Sequence, residues 1–269
     1  MIKVTFVDKL VNNFCILLAK MKERIYLCIS CLFVFTALFF GIDKSLEDRI
    51  NSIKSKYNFN DEQYDRVIKV VKESVEQYKI PASLIEEIFL RPLPRNINYE
   101  RFYSGLLSEL NFLKKAAELV NLYATRNFSP TDKNYSIKTI SNLFSFGLTE
   151  DECKKFMALL QAQGNSFDDS VAKLNYYVIL KKYFVIKNPS LYKVVGVENP
   201  AEIIFLKYYM LSIKDLSLII GAINKYFQVS YDAKTLYDVL SSSKFFSSKE
   251  ICSKIEGLMK KELRKEVVK

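Results

Sequence analysis

The sequence predicts an all-α fold: an irregular multi-helix bundle or a set of stacked helix hairpins, preceded by one N-terminal apolar signal or anchor helix. Three observations carry that prediction. Apolar residues of the body recur every three or four positions, the spacing that lines one face of a helix. Only 7 Gly and 6 Pro occur in 269 residues, so tight turns are scarce and long helices are favoured. Helix-start signals also recur through the second half.

The first element is Ile25 to Gly41, IYLCISCLFVFTALFFG, a run of 17 residues that no charge interrupts. It follows the basic cluster Lys20, Lys22 and Arg24, and Asp43-Lys44 closes it. Its length lies at the short end of the ~17–25 residues that cross a bilayer as a helix, and near a long signal-peptide core. Residues 21–41 therefore read as a signal peptide or a transmembrane anchor. Cleavage requires small residues in an A-x-A spacing; Gly41 suits the last position but Phe39 fills the other, which favours an uncleaved anchor. Basic side chains pressed against the N-terminal end of the run place that end inside and the body outside the cytoplasm. Residues 1–20 are either a short arm, amphipathic through Val4, Val7, Leu10, Val11, Phe14 and Leu18, or a stretch ahead of the true start at Met21.

Residues 42–269 form the helical body. Tyr64, Val67, Ile68, Val71 and Val75 make one amphipathic stripe. Ile80-Pro81 breaks it, and Pro81 suits the first turn of a helix running to Leu90. Arg91-Pro92-Leu93-Pro94 cannot continue a helix, because each proline restricts the residue before it to extended conformations. A long helix from about Asn98 to Tyr123 carries Phe102, Leu106, Leu110, Leu113 and Ala117 on one side. Capping signals at Thr149–Glu152, Ser166–Asp169, Asn199-Pro200 and Ser247–Glu250 then mark helices near 150–162, 167–186, 200–211, 213–227, 232–242 and 248–267. Seams fall near 127–134 and 187–199; within the second, Val194–Val197 is the one strand-like run.

Composition narrows function mainly by exclusion. At 49% hydrophobic residues the chain can offset the entropy of ordering itself, which excludes disorder. With 0 His there is no Ser-His or Cys-His nucleophile pair, no H-E-x-x-H zinc helix and no imidazole proton shuttle. Cys28 and Cys31 sit inside the apolar run, where desolvation disfavours a thiolate, so their C-x-x-C spacing is not a redox motif. Cys153 and Cys252 read as core residues or as a pair in an oxidising compartment. No cofactor-binding or metal-ligating pattern is legible. The first 41 residues hold five basic and two acidic side chains, so of a net charge of +10 the body keeps +7. Its lysines are interleaved with acids, which speaks for a solvated surface over a nucleic-acid face.

Two short stretches resemble known families. Tyr78-Lys79-Ile80-Pro81-Ala82-Ser83-Leu84-Ile85 is similar to the opening helix of lytic transglycosylases, and implies glycan cleavage by one helical Glu. The family's Glu-Ser pair and Gly-rich segment have no counterpart: Leu90-Arg91-Pro92 stands in that place, and Glu86 and Glu87 lie too early. Leu148–Glu152 with Leu160–Asp169 resembles the helix hairpin in the chaperone region of periplasmic foldases, and implies helical envelope architecture. That resemblance spans about a tenth of the chain, and nothing in the remainder matches an isomerase domain.

The expected function is non-catalytic: an anchored or secreted helical scaffold engaging another envelope protein. The alternatives are a carboxylate-dependent cell-wall glycan hydrolase and a membrane-tethered binder of nucleic acid or anionic lipid. Tyr176, Tyr177, Tyr183, Tyr192, Tyr208 and Tyr209 are the candidate partner surface, because aromatic residues concentrate at interface centres. The competing reading of the same tyrosines is core, with lysines snorkelling over them.

Overall fold

The computed structural model describes residues 44–92, 94, 97–124, 128–242 and 247–267, and among them the regular structure is helical throughout. The apolar run Ile25 to Gly41 lies outside the described residues. Among those described, no helix is long and apolar enough to cross a membrane.

Local chemistry explains most helix starts. Helix α1 (Lys44–Tyr57) buries Leu46, Ile50 and Ile53. Asn60 opens α2 (Asp61–Glu76) with a full capping box: its side chain accepts the Gln63 N–H, and Gln63 accepts the Asn60 N–H. Pro81 stands just ahead of α3 (Ala82–Leu90), one position earlier than the sequence suggests. Asn98 caps α4 (Tyr99–Tyr123), and Asp132 caps α5 (Lys133–Ser145). Thr149 and Glu152 form the expected capping box on α6 (Glu150–Ala162), and Ser166 caps α7 (Phe167–Lys181). A π-turn over Lys182–Ile186 extends α7. The strand-like run Val194–Val197 instead overlaps the end of a short helix, α8 (Leu191–Val195), which Gly196 ends in a left-handed conformation at φ 68°. Asn199 and Pro200 start α9 (Pro200–Tyr208) as the sequence indicates. Three helices follow: α10 (Ile213–Val229), α11 (Ala233–Ser242) and α12 (Ser248–Val267).

The helices stack mostly on chain neighbours. In the N-terminal half α1 packs on α3 and α2, and α2 and α3 lean on α4. Phe59 inserts there, its ring 5.3 Å from both Tyr99 and Phe102. Helix α4 lies along α5, and α5 rests on α7. The C-terminal half centres on α7, which takes α6, α9 and α10 around it, while α10 lies along α12. One apolar cluster runs through both halves. Near the first expected seam Phe128 is buried, 5.2 Å from Phe167. Cys153 and Cys252 are free thiols, Cys153 fully buried in α6 and Cys252 half-buried in α12.

Candidate interaction surface

One polar knot lies where α6, α7 and α9 meet. Glu152, in the first turn of α6, accepts the Thr149 N–H at 2.8 Å as part of its capping box. Its other partners come from α7: the Tyr177 hydroxyl donates to Oε1, and Lys181 Nζ reaches Oε2 at 2.6 Å. Lys181 also donates to the Gly147 carbonyl at 2.7 Å. Asn199, the cap of α9, donates to the Tyr177 hydroxyl at 2.9 Å. The Lys181 and Glu152 side chains are 13% and 16% exposed, so this is a mostly desolvated ion pair. Burial pushes the Glu152 acid up, but the Lys181 and Tyr177 hydrogen bonds and the Thr149 N–H outweigh it and hold the group below the usual glutamate value. Burial, followed by the bond to Glu152, raises the Tyr177 phenol. Beneath the knot the rings of Phe156, Tyr177 and Phe205 pack with centroids 4.5 to 5.4 Å apart.

The six candidate tyrosines divide around this core. Tyr177 and Tyr208 face inward and contribute no surface: Tyr208 donates to the Leu240 carbonyl at 2.7 Å, tying α9 to α11, and its burial raises the phenol to about 12. Tyr176 is half-buried and donates to the Ile213 carbonyl at 3.2 Å, which fixes the start of α10 on α7. Tyr183 stacks on Phe227 at 4.4 Å, with Lys187 Nζ 5.2 Å from the Tyr183 ring centroid. Tyr209 is half-buried beside Phe205. Tyr192, on α8, is exposed. The hydroxyls of Tyr176, Tyr177 and Tyr208 each bond to another helix, so these three side chains act as struts between helices.

Exposed apolar side chains are spread over several helices, and one group of them lies on these same elements. Helix α9 buries Ala201, Ile204, Phe205 and Tyr208, yet its opposite side carries Ile203, Leu206 and, just past its end, Met210. These three follow helical spacing, and Met210 is 71% exposed. Helix α8 packs against α9 and adds exposed Tyr192 and Val194. Lys193 and Lys207 are exposed on the same two helices, and Lys207 Nζ donates to the Ser241 carbonyl at 2.7 Å. The sequence does hold a signal for this face: Ile203-Ile204-Phe205-Leu206 is apolar on both sides of a helix whose neighbours cover only one.

The carboxylates of the glycosidase comparison are engaged in surface pairing. Glu86 accepts from Ser45 at 2.7 Å and Arg49 at 3.3 Å, and the Ser45 hydrogen bond leads the effects that lower its acid. Glu87 pairs with Lys138 at 2.5 Å. Among the described residues no three Asp, Glu or Cys side chains converge as a metal site would require. No protein-family model matches this chain, and comparison with curated proteins and with solved structures finds no match.

Proposed function

We propose that the chain is a membrane-anchored or secreted helical interaction module of the cell envelope, displayed outside the cytoplasm and working by binding rather than catalysis. Ile25 to Gly41 supplies the address. The observation that carries the binding reading is the exposed Ile203, Leu206 and Met210 stripe beside Tyr192 and Val194. Apolar side chains left exposed at helical spacing, on a helix already packed on its other side, fit an interface. Lys193 and Lys207 define the complementary chemistry: another envelope protein presenting an apolar face with acidic residues at its rim. The hydrolase alternative needs an uncharged acid in a cleft, whereas Glu86, Glu87 and Glu152 are each paired with a cation.

A photo-crosslinking residue placed at Leu206 in intact cells tests this directly, with the same residue at exposed Glu76 as control. The expected result is a discrete adduct with a different chain from position 206, absent from position 76 and lost when Met210→Asp is added. Equal adducts at both positions, or none at 206, would overturn the reading.

A further inference from the structure

The geometry points to a second site, a small saccharide-binding groove between α5 and α7. The groove encloses about 200 Å³ and is lined by Tyr135 and Thr139 from α5 and by Asp168, Asn175 and Tyr176 from α7. Buried Ser136 forms part of its wall, and Val171 and Ala172 give it an apolar floor. The spacing of these positions on α7 places all of them on one helical face.

Its polar groups are largely uncommitted. Asp168 Oδ2 accepts the Thr131 N–H at 3.2 Å, which leaves Oδ1 open to the groove. Among the described residues the hydroxyls of Ser136, Thr139 and Tyr135 and the Asn175 amide have no hydrogen-bond partner. A ligand that brings hydroxyl groups would answer Ser136, Thr139, Asn175 and Asp168 together.

The remaining features narrow the class. No Lys or Arg lines the groove and one carboxylate does, which disfavours phosphates and other anions. Tyr135, 66% exposed, and Tyr176 offer rings against which the C–H face of a pyranose can lie. An alkylammonium would satisfy Asp168 and the rings but offers no acceptor to the Ser136 and Thr139 hydroxyl protons or the Asn175 amide N–H groups. The volume is below the roughly 300–1,000 Å³ of drug-sized pockets, so it suits one sugar ring of a longer glycan. So few contacts imply a Kd on the order of 1 mM.

Saturation-transfer NMR on the full chain, in a detergent without a sugar headgroup, tests the site. The probes are glucose, galactose, mannose, N-acetylglucosamine and maltotriose, with n-butylammonium as the competing class. At least one saccharide should show transfer to its ring protons, weakened about fivefold by Asn175→Ala, the loss expected for one hydrogen bond. Thr139→Phe, which fills the groove, should abolish it. Asn175 is exposed and unpartnered, so that variant keeps its fold and isolates the binding effect. No transfer from any of the five saccharides, transfer unchanged in both variants, or transfer from butylammonium alone would overturn the assignment.

Discussion

Replacing Lys181 by Met keeps the length and apolar stem of the side chain while removing the charge that faces Glu152. The carboxylate is then left mostly desolvated, with the Tyr177 hydroxyl and the Thr149 N–H and hydroxyl as remaining donors. Breaking a fully buried ion pair from one side costs about 3–5 kcal/mol. Here the Glu152 side chain keeps 16% exposure and three donors, so about 2–3 kcal/mol is expected at pH 7. For a body of this size that corresponds to a fall in Tm of roughly 5–10 °C. The pH dependence identifies the cause. In the native chain the Glu152 acid sits below its unfolded value of about 4.3, so its stabilisation is present above that pH and fades as pH falls through the lower folded value. In Lys181→Met the burial that raises the acid loses its main opponent, and ionising Glu152 then costs stability. The difference between the two proteins should therefore be largest near neutrality and shrink as pH approaches 4. Thermal melts by circular dichroism between pH 4 and 7.5 read this out. A loss below about 0.5 kcal/mol, or one that does not vary with pH, would refute the ion pair as the organiser of the α6–α7–α9 junction.

Three further outcomes follow from burial. Cys153 is fully buried and its thiol is pushed up to about 12, whereas Cys252 is half-buried; iodoacetamide at pH 8 should alkylate Cys252 at least ~10-fold faster, as read by peptide mass spectrometry, and equal rates would contradict the packing of α6. Tyr208→Phe strips the Leu240 carbonyl of its donor and should cost about 1–2 kcal/mol in urea unfolding, while loss of less than a few tenths would mean that α9 is not tied to α11 by this bond. Ile204→Ala should cost about 2–5 kcal/mol through the cavity it leaves, whereas Leu206→Ala, on the outer face of the same helix, should stay within about 0.5 kcal/mol; comparable losses would place both side chains in the core.

Where a helix begins was legible wherever a short side chain supplies the cap. Thr149, Ser166 and Asn199 each accept the N–H three residues on, as their spacing suggests. Helices α1 and α5 were harder to single out, because neither shows a capping box and α5 follows a stretch that reads as loop. Val194–Val197 looks β-prone through its valines, yet its first two residues end the helical turn Leu191–Val195, which buries Leu191 against its neighbours, and tertiary packing outweighs local preference there. The tyrosines show the larger limit. Helical spacing groups Tyr176, Tyr177, Tyr183, Tyr208 and Tyr209 but does not say which face meets another helix, and only contacts between α7, α9, α10 and α11 resolve that. Lys181 and Glu152 lie 29 positions apart, and no local pattern joins them. The groove at Ser136 and Asp168 escapes sequence reading for the same reason: it exists only where α5 meets α7.

The measurement that bears most directly on an externally displayed helical module is protease access to the body in spheroplasts, with a C-terminal tag followed through carbonate-washed membranes. The account predicts a tag that is either retained on washed membranes and lost when protease is added to intact spheroplasts, or released outside the spheroplasts altogether. A membrane-retained tag that stays protected until the spheroplasts are lysed would put the body inside and contradict it.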